Sequence, residues 1–230
     1  MATAPFELSS GSSESRSATP LAAPPGLRRR LPAGERRALI LEVARTLFAR
    51  NGFQGTGTVE IAAAAGCSEP VIYKHFASKQ ALFAAVIEEC VREVRELLDA
   101  SLLEHQDPLD AYAAFARRLV SEPRLIEITR LRTLALSLVH EPVIHEALLR
   151  VSETMRGRWT AILEEGQRLG TVRGDIVAEH VCLFGLGVSL TAGYLQALGG
   201  DAALARLPVM LDTMIALLRP PTITEGGEPL

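Results

Sequence analysis

Between Ile61 and Phe76 the chain reads Ile-Ala-Ala-Ala-Ala-Gly-Cys-Ser-Glu-Pro-Val-Ile-Tyr-Lys-His-Phe. Gly66 suits the left-handed backbone that stops a helix. Ser68 suits an N-cap, and Pro70 suits a first helical turn, where a missing N–H costs little. A short helix, a tight turn at Gly66 to Ser68 and a second short helix make a helix-turn-helix. In that motif the second helix lies in the DNA major groove, with its N-terminal residues facing base edges.

The flanking sequence keeps helical period. Leu39, Ile40, Val43, Ala44, Leu47 and Phe48 lie on one face of a helix over Glu35 to Asn51, and Gly52 follows as its stop. Thr56 to Ala65 reads as the second helix, with Thr56 or Thr58 as cap, and Ser68 to His75 as the third. Ser78 caps a fourth helix, periodic through Leu82, Phe83, Val86, Ile87, Cys90, Val91, Val94 and Leu98, with no breaker before Asp107-Pro108. That helix is long enough to leave one domain and enter the next. Further helices are expected from Pro108 to about Ser121, from Pro123 to about His140 and from Pro142 to Leu169, with Gly170 as stop. Asp175 is expected to cap one that ends near Leu198. Gly199-Gly200-Asp201 opens the last, to Leu218, which Pro208 interrupts. No alternating strand pattern flanked by turn residues is found. The fold class is therefore all-α. Residues 1–30 are expected to be a disordered tail with a basic arm, 31–80 a helix-turn-helix domain, 81–219 a larger helical domain and 220–230 a second disordered tail.

Charge is divided along the chain. Overall it is −3, but residues 28–80 hold nine Lys/Arg against four Asp/Glu, while residues 81–230 hold fourteen against twenty-one. A basic N-terminal segment on an acidic body is the footprint of a protein that touches phosphate with one end. Arg28-Arg29-Arg30 is either a solvated charge run or an arm reaching the minor groove or phosphate. Cys67, Cys90 and Cys182 are scattered, without a CxxC pair, which suits a reducing cytoplasm rather than a disulfide framework. They read as small buried apolar residues, with a Cys67–Cys90 redox pair as the alternative.

The stretch Val181 to Leu198 is nearly uncharged. Its length admits a membrane span, but Gly185, Gly187, Ser189, Thr191, Gly193 and Gln196 lower its hydrophobicity and basic or aromatic anchors are missing at its ends. A helix apolar on most faces is otherwise buried in a domain or an interface. The favoured reading is a homodimer interface using Val181, Gly185, Val188, Ala192, Leu195, Met210 and Met214, with no membrane contact. His140-Glu-Pro-Val-Ile-His145 resembles a zinc-binding HExxH helix, but it is one residue too long and Pro142 breaks it. With no GxSxG elbow, P-loop or Rossmann glycine pattern, neither enzyme activity, metal nor cofactor is expected.

Gly52-Phe53, Thr56, Ile61-Ala62, Ala65-Gly66, Ser68, Tyr73, His75-Phe76, Ser78-Lys79 and Leu82-Phe83 together resemble the N-terminal domain of the TetR/AcrR-type transcriptional regulators. Gly-Thr-Val-Arg-Gly-Asp at 170–175 resembles the turn before that family's penultimate helix. The resemblance implies an all-α homodimer, which the cysteine usage places in the cytoplasm. It binds operator DNA, and most members are repressors released by a small-molecule effector. It implies that Ser68 caps the recognition helix, that Pro70, Val71 and Lys74 face the groove, that Tyr73, His75 and Lys79 contact phosphate, and that Thr58 touches the DNA backbone. Tyr73 can also pack against the first helix. The sequence departs from the family at Pro70, often glycine, at Val59, often basic, and at Glu69. The Glu69 carboxylate favours the helix dipole and repels phosphate, and it either accepts from a cytosine N4 or excludes wrong sequences. An effector pocket is expected among Tyr112, Phe115, Thr133, Ser137, His140, Trp159 and Phe184, each equally readable as core. Its aliphatic surroundings favour an apolar or amphipathic ligand. The long helix from Ser78 would be the lever that changes the separation of two recognition helices. The alternatives are a ligand-independent DNA-binding protein of the same fold and a helical enzyme.

Overall fold

A three-helix head is built around aromatic side chains. In the computed structural model, which describes residues 31–197 and 205–221, α1 spans Ala33–Asn51, α2 Thr58–Ala64 and α3 Glu69–His75. Phe48 of α1 and Phe83 of the next helix meet edge to face with ring centres 4.9 Å apart, and Phe53 closes the cluster at 5.3 Å from Phe83. Such pairs add about 0.5–1.5 kcal/mol each beyond their area. Ile40, Ala44, Ile61, Ile72 and Phe76 fill the rest of this core. The α1–α2 turn is tied by Thr56, whose hydroxyl donates to the carbonyls of Gly52 (2.8 Å) and Leu47 (3.1 Å). The cap of α2 is Gly57, so neither Thr56 nor Thr58 caps it as the sequence suggests. Thr56 is drawn backwards into the preceding turn instead.

The fourth helix, α4, spans Lys79–Glu104 and starts where Ser78 Oγ accepts from the Ala81 N–H at 3.0 Å. It carries the chain from the head into the body, and an 80/81 domain boundary falls inside it. From Ala33 onward the chain forms one compact unit. The body continues with α5 (Pro108–Ser121), α6 (Pro123–Leu136), α7 (Pro142–Leu169), α8 (Ala178–Ala197) and α9 (Leu207–Leu218). Helix α4 packs along α7 and α5, while α8 lies on α6 and α7 and α9 lies on α5. Among the described residues there is no strand.

Proline sets three of these starts. Pro108, Pro123 and Pro142 each stand in a first turn, where the absent N–H has no helical partner to lose. Pro208 does the same for α9, so it opens that helix rather than interrupting it. Two other expectations are corrected. Helix α6 stops at Leu136, and residues 137–140 form turns closed by Leu138 N–H to Ala135 O (3.0 Å) and Glu141 N–H to Leu138 O (2.9 Å). Helix α8 begins at Ala178, and Asp175 pairs with Arg173 instead of capping it. Helix α7 does end as expected, at Gly170 with φ +75°. The 199–201 start of a last helix, the two tails and Arg28, Arg29 and Arg30 lie outside the described residues.

Candidate DNA-binding site

Helix α3 has one side sewn into the head and one side open. Ile72 is 1% exposed and Phe76 5%, whereas Tyr73 and Lys74 are exposed. Gly66, at φ +63°, makes the turn that separates α2 from α3. Arg36 of α1 donates to the Ala65 carbonyl at 3.0 Å and pins that turn from below. Ser68 takes the N-cap position with extended backbone, but its hydroxyl makes no capping bond. Only its carbonyl engages the helix, accepting from Val71 N–H at 2.9 Å. The Ser68 hydroxyl is thus left on the exposed surface, free to meet an external acceptor.

Thr58, Glu69 and Tyr73 form a small polar unit between α2 and α3. The Thr58 hydroxyl donates to the Glu69 carboxylate, and the Tyr73 hydroxyl lies 3.3 Å from the same Thr58 oxygen. Thr58 is 8% exposed, so its first job is bracing the two helices of the motif. Glu69 is half-buried in this brace. That internal role accounts for a carboxylate at the start of α3, a role the sequence does not reveal.

The remaining sequence-derived positions separate by environment. Pro70 and Lys74 are exposed, and Val71 and His75 are half-buried. Lys79 at the first turn of α4 has its ammonium 4.4 Å from the centre of the Phe53 ring, a cation–π contact, and partial burial lowers its pKa. Arg37 lies over Phe76 at 5.1 Å. Val59, on the exposed face of α2, is 65% exposed and offers no charge.

The positions proposed for effector and interface do not form two clean sets. Tyr112 and Trp159 pack edge to face at 5.0 Å beside Cys182 and Met214. Phe115 is plain core at 0% exposure. Thr133 and Ser137 line a different cavity, near α1. His140 and Phe184 point outward, Phe184 being 71% exposed. On α8, Gly185 and Ala192 face inward. A Cβ on Gly185 would stand 2.2 Å from the Trp159 ring, so α7 already occupies that side. Val181 and Met214 are half-buried against the core, and Leu195 is half-buried. The side chain of Val188 lies outside the described residues. The outward side of α8 carries Leu183, Phe184, Leu190 and Tyr194 instead, and that of α9 carries Val209, Met210 and Leu217. Of the seven interface positions, Met210 is exposed in this way. Helix α8 is also long and apolar enough to cross a membrane by length and composition, over Ala178–Leu195, with 31% of that window buried.

A head of three helices with an exposed third helix, carried on a helical body, is the layout of a helix-turn-helix DNA-binding protein. Residues 40–86 match the description of bacterial regulatory proteins of the tetR family. The matched segment runs from α1 through the helix-turn-helix into α4, and it is this head that is similar to the TetR family. It is 39% identical over 90 residues to the HTH-type transcriptional activator FasR of Mycolicibacterium smegmatis, covering 37% of this chain and 41% of that protein. It is 28% identical over 155 residues to the HTH-type transcriptional repressor KstR2 of Rhodococcus jostii, covering 63% and 71%. This chain therefore spans less than half the length of the activator. A TetR-family regulator from Rhodococcus sp. superposes with a TM-score of 0.73 at 16% identity over 81% of this chain and 100% of the other. A regulator from Saccharomonospora viridis in complex with choline superposes with a TM-score of 0.71 at 20% identity over 80% and 96%. At these identities the superpositions establish the fold.

Proposed function

We propose that the protein is a cytoplasmic, homodimeric transcription regulator that binds a specific operator through α3, and that it is a repressor released by a small molecule. The observation that carries the reading is the two-sided α3. Ile72 and Phe76 lock it to the head while Ser68, Pro70, Tyr73 and Lys74 face out together. Lys74 supplies donors for guanine O6/N7, and Tyr73 and Ser68 supply hydroxyls for phosphate. Two heads in a dimer read half-sites about 34–36 Å apart. Fluorescence anisotropy on operator DNA selected from a random pool tests this. The expected result is a sequence preference and an affinity that falls steeply with salt. Sequence-independent binding would overturn it.

The effector reading rests on the aromatic seam of the body. Trp159 Nε1 is buried without a hydrogen-bond partner beside Tyr112, among apolar side chains of α5, α7, α8 and α9. A ligand acceptor would satisfy that N–H. The voids on either side are about 10 Å³ each, room for about one water. A ligand must therefore part α8 from Trp159, and that displacement would be felt along α7 and α4. The closeness of this packing equally favours a ligand-independent regulator. Operator affinity measured with and without a panel of apolar compounds separates the two, since only the first reading expects a 5–150-fold loss. The relatives include both an activator and a repressor, so the sign of regulation is read from a reporter gene in cells lacking the protein.

A further inference from the structure

A second cavity, of about 250 Å³, lies away from the aromatic seam, where the head meets the body. Its walls are Phe48 and Ala49 from the last turn of α1, Gly52 just beyond it, and Leu131 and Leu134 of α6. Arg130 and Thr133 of α6 and Ser137 just past its end complete it with polar side chains. Helix α8 closes one side through Gly193, where a Cβ would stand 2.1 Å from Thr133 Oγ1. No residue of the Tyr112–Trp159 seam takes part.

The polar groups are arranged for an external partner. The Thr133 hydroxyl donates to Thr129 O at 3.0 Å and the Ser137 hydroxyl to Leu134 O at 2.7 Å, so each oxygen keeps its lone pairs for a donor. Arg130 is exposed and has no hydrogen bond or ion pair among the described residues. Most neighbouring arginines of the body differ: Arg117, Arg118, Arg124 and Arg150 are each paired with a carboxylate. An unpaired guanidinium on the rim of an apolar cavity fits a ligand with an apolar body and an anionic end. The volume is just under the roughly 300–1,000 Å³ of drug-sized sites, which selects a small one.

The seam around this cavity is also held in a way that can yield. One turn back along α1, Arg45 is 6% exposed and sits among Glu42, Glu93 of α4 and Glu127 of α6, at 2.9, 4.0 and 3.4 Å. Its Nε and Nη1 and the Glu127 Oε1 have no hydrogen-bond partner. The head is thus joined to α6 through imperfectly paired charges, next to a space into which a ligand fits.

We infer that this cavity between α1 and α6 is a binding site for a small amphipathic carboxylate, with the apolar body against Phe48, Leu131 and Leu134 and the carboxylate on Arg130. Such a ligand touches the head and the body at once. The site stands apart from the DNA-binding reading, because its test needs no DNA. Phenylacetate and its uncharged counterpart 2-phenylethanol are titrated into the full chain, and the methyl resonances of Leu131 and Leu134 are followed by NMR. Phenylacetate is expected to shift both methyls and to bind about tenfold more tightly than the alcohol, the size of one exposed charge-assisted hydrogen bond. Arg130→Gln, an exposed substitution, should erase that difference, and Ser137→Phe at the rim should abolish binding of both compounds. Unmoved methyls, shifts confined to the surroundings of Trp159, or an R130Q variant that binds phenylacetate as tightly as the wild type would overturn the inference.

Discussion

At the scale of single residues, Glu69 and Arg45 show how a charge can serve the fold beside a proposed binding surface. Glu69 accepts from Thr58 and so holds the start of α3 against the start of α2. Glu69→Gln keeps an acceptor while removing the negative charge. It is expected to leave thermal stability within about 0.5 kcal/mol and to strengthen binding to all DNA sequences alike, because one phosphate repulsion is lost. Anisotropy on operator and scrambled DNA checks this, and a loss confined to one operator base would instead make Glu69 a base reader. Arg45→Ala takes the guanidinium from Glu127 of α6, while Glu42 and Glu93 keep Arg124. Glu93 and Glu127 keep access to water through 22% and 30% exposed side chains, so the expected cost is about 3 kcal/mol, the low end for a broken buried pair, measured by urea unfolding. Cysteine chemistry divides in the same manner. Cys90 is fully buried and desolvation pushes its thiol pKa up to about 12, while Cys182 is buried and also raised. Only half-buried Cys67 is expected to react promptly with a thiol reagent in the folded protein, counted by mass spectrometry. With Cys90 shut away in this form, the Cys67–Cys90 redox pair has no accessible partner.

At the scale of elements, the legible parts were those written in local chemistry. Pro108, Pro123 and Pro142 mark helix starts because a proline there loses nothing, and Gly66 and Gly170 mark stops because their backbone is left-handed. Gly66→Ala is therefore expected to cost about 1 kcal/mol through strain alone, since a Cβ there meets open space. Thermal melting checks this, with Gly66→Asn expected to cost less. The exposed face of α3 was also readable, because Ile72 and Phe76 fix its rotation against the head. Rotation of α8 was not readable. It is apolar nearly all round, so no stripe in its sequence says which side meets α7 and which meets solvent. The side bearing Gly185 and Ala192 turned inward, and the neighbouring side bearing Leu183 and Phe184 turned out. The effector set was unreadable for a different reason. Tyr112, Trp159, Thr133 and Phe184 are brought to three separate places by contacts between distant helices, and residue type alone carries no trace of that.

At the scale of the whole molecule, the outward faces of α8 and α9 pose the remaining physical problem. Leu183, Phe184 and Tyr194 are 59%, 71% and 59% exposed, and Val209 and Leu217 on α9 are 67% and 65% exposed. Single exposed apolar residues are ordinary, but a row of large ones along a helix already glycine-rich on its other side marks an interaction surface. In the proposed homodimer a second copy of the chain would cover it, because a twofold axis sets the same face against itself and places two heads side by side. Burying about 100 Å² of apolar surface at a position such as Phe184 stabilises the pair by about 2.5 kcal/mol per copy. Phe184→Glu replaces that gain with a charge pressed against its own symmetry mate. The wild type is expected to run in light scattering at twice the 24.8 kDa chain mass, and the variant at the single mass with an unchanged helical spectrum. Its affinity for a two-half-site operator should fall at least tenfold while that for a single half-site stays the same, because each head still reads its own groove. A wild type of single mass, or a variant that keeps full operator affinity, would separate DNA binding from dimerisation and leave the apolar face to another partner.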